Sequence, residues 1–148
     1  MNFKTLMTLL TAASTVVAFA AAPAMAQDGP ARFSLDLNNA ANIEGDGGCR
    51  LTYVANNGTG AALEAVSYQV AVFDAEGIVT DLLILEFGAL IEGKTKVVQF
   101  DLAGRACEDI SRITVNEVAA CTLADGQTGD FCMTGLETGS RGAIQFGI

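Results

Sequence analysis

Six segments of this chain read as strands, five of them alternating apolar with polar residues at a period of two, and clusters of turn-forming residues separate them. Phe33, Leu35 and Leu37 alternate with Ser34 and Asp36, and Cys49, Leu51 and Tyr53 with Arg50 and Thr52. Val66, Tyr68, Val70 and Val72 alternate with Ser67, Gln69 and Ala71; Val98, Phe100 and Leu102 alternate with Gln99 and Asp101. Ile113 and Val115 form a shorter run, and Ile78 to Phe87 is apolar almost throughout, as in a strand with little face turned to water. Successive side chains of a strand point to opposite sides, so this alternation describes strands with one face in a core. The strands recur roughly every 12 to 18 residues, a seventh is expected near Ala143 to Phe146, and no long window keeps a helical period. The pattern specifies an all-β domain, an antiparallel sandwich or barrel. Ala61 to Ala65 is read as a single helical turn between strands.

The first residues read as an export signal. Lys4 supplies the basic start, Leu6 to Ala22 is apolar and small, and Ala24-Met25-Ala26 has the small-x-small pattern of a cleavage site. The expected domains are a signal peptide over 1–26 and a β-sandwich with a Cys-rich tail over 27–148. Without a twin Arg, general secretion is the expected route, and the periplasm the expected compartment, with an extracellular location as the alternative. The longest apolar stretch after Ala26, Ile78 to Phe87, is too short to span a bilayer. The chain carries a net charge of −9, and loss of Lys4 with the leader makes it −10. Such a charge repels phosphate backbones and anionic lipid, so nucleic acid is not an expected partner.

All four cysteines, Cys49, Cys107, Cys121 and Cys132, follow the leader, an even number suited to an oxidising compartment. No two lie at the close spacing of zinc ligands or of a redox CxxC pair. Of the three possible pairings, Cys49–Cys107 with Cys121–Cys132 is expected. The second link would close the short Gly/Asp loop Thr122 to Phe131, and the first would tie the starts of two strands together.

The runs Tyr53 to Gly58, Ala65 to Asp74, Glu76-Gly77 and Leu90 through Gly93-Lys94-Thr95 to Phe100 resemble the immunoglobulin-like FxLYD domains of bacteria. There a strand ends at N-x-G, the next carries alternating Val and ends in aromatic-Asp, and L-x-x-G-x-T leads the strand after it. The resemblance covers about Arg50 to Asn116, and this chain has Phe73-Asp74 where the name-giving motif has Tyr-Asp. The chain is also similar to small exported proteins of Gram-negative bacteria. These likenesses imply a single immunoglobulin-like sandwich of about seven strands, and no active site to transfer. The shared residues also have plain folding roles: Asp74 can accept amide hydrogens of its own turn, and Gly77 can take the positive φ that reverses the chain.

The residues for most chemistries are missing or scattered. There is no His and no Trp, which removes His-based triads, His-ligated metals and an imidazole base. The serines have no partner base and no G-x-S-x-G elbow, and there is no phosphate-binding loop. Asp81 with Glu86, or Asp74 with Glu76, would have to be held 5–9 Å apart as a hydrolytic dyad, but the acids fall at turns and solvent faces. Lys94 and Lys96 sit where an exposed turn meets a strand, and Asn57-Gly58-Thr59 reads as a turn rather than a glycosylation site. The acidic loops Glu44 to Gly47 and Asp125 to Asp130 lack the ligand order of an EF-hand. Asp125 and Asp130 are the weak metal candidates. No cofactor and no enzymatic activity are expected.

An interaction surface remains. Leu82 to Leu85 and Phe87 place apolar groups on both faces of one strand, so one face enters the core and the other must be covered by the tail or by a partner. The expected interface residues are Leu83, Leu85 and Phe87, with Ile144 and Phe146 of the last strand. The reading is a non-enzymatic periplasmic accessory module that contacts another envelope protein; the alternative is a secreted protein binding calcium or a small ligand through its acidic loops.

Overall fold

The computed structural model describes residues 32–45 and 47–148; the expected signal peptide, its cleavage site and Asp46 lie outside the described residues. Eight strands form two four-stranded sheets. The strands are β1 (Arg32–Ile43), β2 (Gly48–Gly58), β3 (Leu63–Phe73), β4 (Val79–Glu86), β5 (Thr95–Leu102), β6 (Arg112–Leu123), β7 (Leu136–Ser140) and β8 (Gln145–Gly147). One sheet runs β5-β2-β1-β7 and the other β4-β3-β6-β8. A 3-10 turn, Cys107–Asp109, precedes β6, and one short helix, α1 (Phe131–Thr134), precedes β7. This is the all-β sandwich expected from the alternation.

The alternating apolar residues fill the space between the sheets. Leu35, Leu37, Leu51, Tyr53, Val66, Tyr68, Val70, Val72 and Ile113 are all buried. Tyr53 is the centre of an aromatic cluster, edge-on to Phe87 at 5.7 Å, Phe100 at 5.9 Å and Phe146 at 5.1 Å between ring centroids. Such edge-to-face pairs add about 0.5–1.5 kcal/mol each beyond the area they bury. Cys49 bonds Cys107 and Cys121 bonds Cys132. Cys107 lies in the 3-10 turn rather than at a strand start, so the first link anchors the β5–β6 connection to β2. The second holds α1 against β6.

Two further features depart from the sequence reading. β7 pairs with β1, and β8 with β6, in parallel rather than antiparallel fashion. The chain leaves β6 through the disulfide-closed loop and α1, crosses to the other sheet, and so enters β7 running in the direction of β1. The helical turn expected over Ala61 to Ala65 does not form. Asn57 is buried, and its side-chain amide donates to the Ala61 carbonyl at 2.8 Å and the Leu90 carbonyl at 3.1 Å. Its oxygen accepts from the Thr59 amide at 3.1 Å and the Thr59 hydroxyl at 2.6 Å. These bonds hold the β2–β3 connection as a tight bend, and β3 begins directly at Leu63.

Candidate interaction surface

β4 pairs with β3 on one side, from Val79 opposite Phe73 to Glu86 opposite Ser67, and ends its sheet on the other. The turn that precedes it is built as the sequence indicates. The Asp74 carboxylate accepts the Glu76 amide at 3.1 Å and the Ile78 amide at 2.8 Å, while Gly77 reverses the chain at φ +80°.

Period two then sorts the strand. Asp81, Leu83 and Leu85 point inward, and Phe87 follows them into the core; Leu82, Ile84 and Glu86 point to solvent. Leu82 is 61 % exposed and Ile84 49 %, and Ile78 and Val79, just before them, are 62 % and 47 % exposed. The interface residues expected from sequence are therefore corrected. Leu85, Phe87, Ile144 and Phe146 are core residues, and Leu83 is half-buried against that core. Both faces of β4 are apolar, as expected, but the interface set took the inward one. Glu86 was the available signal: it shares parity with Leu82 and Ile84, and a carboxylate with no cation partner belongs in water. Asp81 obscured it, being an acid on the inward parity.

Asp81 is tolerated there because Arg105 reaches it from the β5–β6 connection, with Nη2 3.0 Å from the carboxylate. At the far end, Lys96 of β5 turns inward and donates from Nζ to the Phe87 carbonyl at 2.7 Å. The two sheet-ending strands are thus fastened across the sandwich near both ends. The tail does not cover the outer face of β4: α1 and β7 pack against β1, and α1 and β8 against β6, away from β4. Along that face the neighbours are Ala71 opposite Leu82 and Gln69 opposite Ile84, and near the turn Arg112 lies 4.0 Å over the Phe73 ring.

The acidic groups are not gathered into a site. Asp81 and Glu86 point to opposite sides of β4, so they make no dyad. The Asp125 carboxylate is taken up by its own turn, accepting the Gln127 amide and side chain at 3.0 Å each. Asp130 lines two concavities of about 580 and about 530 Å3 beside α1. Among the described residues no three Cys, Asp or Glu side chains converge as metal ligands. Asp101 is held below the usual carboxylate range by its hydrogen bonds from Arg50 at 2.7 and 2.8 Å, and Glu108 is lowered by the Asn42 amide at 2.9 Å. Burial pushes the Tyr53 and Tyr68 hydroxyls well above the ordinary tyrosine range, so both stay neutral.

Fold and surface together define a disulfide-linked, two-sheet β-sandwich with an exposed apolar strand at one sheet end. Among solved structures the chain is similar to IrmA from Escherichia coli, with a TM-score of 0.52 and 14 % identity over 73 % of this chain and 91 % of that one. At that identity the likeness is one of fold. No family model matches the chain, and no curated protein matches it, so the likeness to FxLYD domains rests on the quoted motifs alone.

Proposed function

We propose that this protein is a non-enzymatic, exported interaction module that contacts another protein of the cell envelope through the outer face of β4. The observation that carries the reading is the row Ile78, Val79, Leu82 and Ile84, four aliphatic side chains about half or more exposed along one strand and its turn. Scattered exposed apolar residues are ordinary, but four within seven residues, flanked by Glu76 and Glu86, have the make-up of a recognition patch. Two disulfides and a sandwich edge fastened near both its ends supply the rigid support such a patch needs. The periplasm is the compartment that fits an export leader and two disulfides.

The test is affinity capture from the native envelope, with crosslinking and mass spectrometry, using the exported protein and its variant with Leu82→Glu and Ile84→Lys together. A discrete envelope protein retained by the parent and lost by the variant supports the reading. A partner retained equally by both, or none, overturns it.

A further inference from the structure

Five arginines lie among the described residues, and four of them meet a carboxylate of this chain. Arg32 pairs with Glu137, Arg50 with Asp101, Arg105 with Asp81 and Arg141 with Asp36. Arg112, the first residue of β6, is exposed and has no such partner among the described residues. Its guanidinium carbon stands 4.0 Å over the Phe73 ring. That contact orients the group, and a ring takes up none of its in-plane N–H donors as a carboxylate would. The two lysines differ from it. Lys96 donates to the Phe87 carbonyl, and Lys94 lies in the β4–β5 turn at the other end of the sheet.

The ladder puts Arg112 on the face that carries Leu82 and Ile84. Val79 lies opposite Phe73, Phe73 opposite Arg112, and Arg112 opposite Gln145, so the four form one row across the sheet. The next row is Leu82, Ala71, Thr114 and Gly147. Neighbouring strands are about 4.8 Å apart, so a guanidinium over Phe73 stands about one strand from Val79. A segment that covers the aliphatic row therefore reaches Arg112 as well. Beside the guanidinium a concavity of about 420 Å3 opens between the β3–β4 turn and β8, lined by Glu76, Ser111, Ala143 and Gln145.

We infer that the partner segment covering this face carries an Asp or Glu side chain among aliphatic residues, and that this carboxylate pairs with Arg112. The inference rests on the reading of the face proposed above and names what the partner presents there. Charge complementarity carries it. A partner that covered Arg112 without a carboxylate would strip water from an unpaired cation, which opposes binding. The fork of guanidinium donors matches a carboxylate in two parallel hydrogen bonds. Arg112 has Phe73 and Val79 on one side and Gln145 on the other, so a segment crossing the row continues past it. The group is thus a side chain within the segment rather than a chain end. Glu76 lines the same concavity, and its exposed charge weakens the pairing without removing it. The net charge of the chain acts at long range, where physiological salt screens it within about 8 Å, and the pairing acts at contact.

Selection of a displayed random-peptide library on the oxidised, exported protein tests it, followed by titration of the enriched peptides in solution. Peptides that combine aliphatic residues with an Asp or Glu are expected, and the variant with Leu82→Glu and Ile84→Lys should not bind them. Arg112→Gln weakens them roughly tenfold or more, and Arg112→Lys, which keeps the charge and loses the fork, falls between. Arg112→Glu recovers affinity to within about threefold when the peptide's acid is exchanged for Lys. Glu76→Gln tightens binding about two- to fivefold. Peptides that need Leu82 and Ile84 but carry no acid, or that bind Arg112→Gln as well as the parent, overturn the inference and leave the proposed function standing. Peptides indifferent to the Leu82 and Ile84 changes, or no enrichment at all, overturn the reading of the face and the inference with it.

Discussion

The hydroxyl of Tyr68 donates a 2.7 Å hydrogen bond to the backbone carbonyl of Cys132, and through it the centre of β3 holds the helix that carries the second disulfide. Tyr53, buried as deeply on the facing sheet, has no hydrogen-bond partner for its hydroxyl among the described residues. The two tyrosines therefore separate what a buried hydroxyl costs from what its bond contributes. Tyr68→Phe strands a buried carbonyl and is expected to lower stability by about 1–3 kcal/mol. Tyr53→Phe removes a group with nothing to bond and is expected to leave stability unchanged or raise it by up to about 1 kcal/mol. Urea denaturation of both variants measures the difference.

Asn57 gathers Thr59, Ala61 and Leu90 around one buried side chain. Asn57→Ala leaves those groups without their partner and is expected to cost about 2–4 kcal/mol. Asn57→Asp should cost more, because a carboxylate would face the Ala61 and Leu90 carbonyls that the amide now donates to. Thermal melts of the two variants give the order.

The two buried tyrosines also set the alkaline limit. Burial raises both hydroxyls above the unfolded value of about 10. Their contribution is full below that pH, and it is lost progressively above it as the unfolded chain ionises first. The urea midpoint is expected to hold steady from pH 7 to 9 and to fall between 10 and 12, less steeply in Tyr53→Phe. On the acid side Asp101 and Glu108, both lowered, act in the opposite sense, their contribution present above the usual carboxylate range and lost as pH falls through it. Both are solvent-exposed, so that part of the profile is shallow and flattens with salt.

The two disulfides close loops of different length, with sequence separations of 58 and 11. Replacing Cys49 and Cys107 together by Ala is expected to cost about 4 kcal/mol, and Cys121 and Cys132 together about 3 kcal/mol. The first pair should also loosen the β5–β6 connection that carries Arg105. Hydrogen exchange at Asp81 and Leu82 would then rise in the first variant and not in the second.

Much of this architecture can be read from alternation alone. Apart from Asn57 and Lys96, the inward residues of β2, β3 and β5 are those of the apolar parity, and Asp74 and Gly77 mark the β3–β4 turn in the sequence itself. The parallel pairing of β7 and β8 is not legible in this way, because Leu136–Ser140 has two small residues and little apolar signal, and strand direction depends on where the preceding crossover delivers the chain. β4 fails for a different reason. Periodicity tells that two faces differ, and where both are aliphatic it does not tell which is inside. Only the fastening of Asp81 by Arg105, 24 residues away in sequence, reveals why an acid lies on the buried side.

Site-specific photo-crosslinking in the native envelope tests the β4 surface most directly. A photoreactive side chain at Ile84 should give discrete adducts with an envelope protein, and the same group at Val97, which is more exposed on the opposite sheet at 61 % against 49 %, should give none. Adducts from Val97 alone, or the same products from both positions, would contradict the assignment of β4 as the interaction surface.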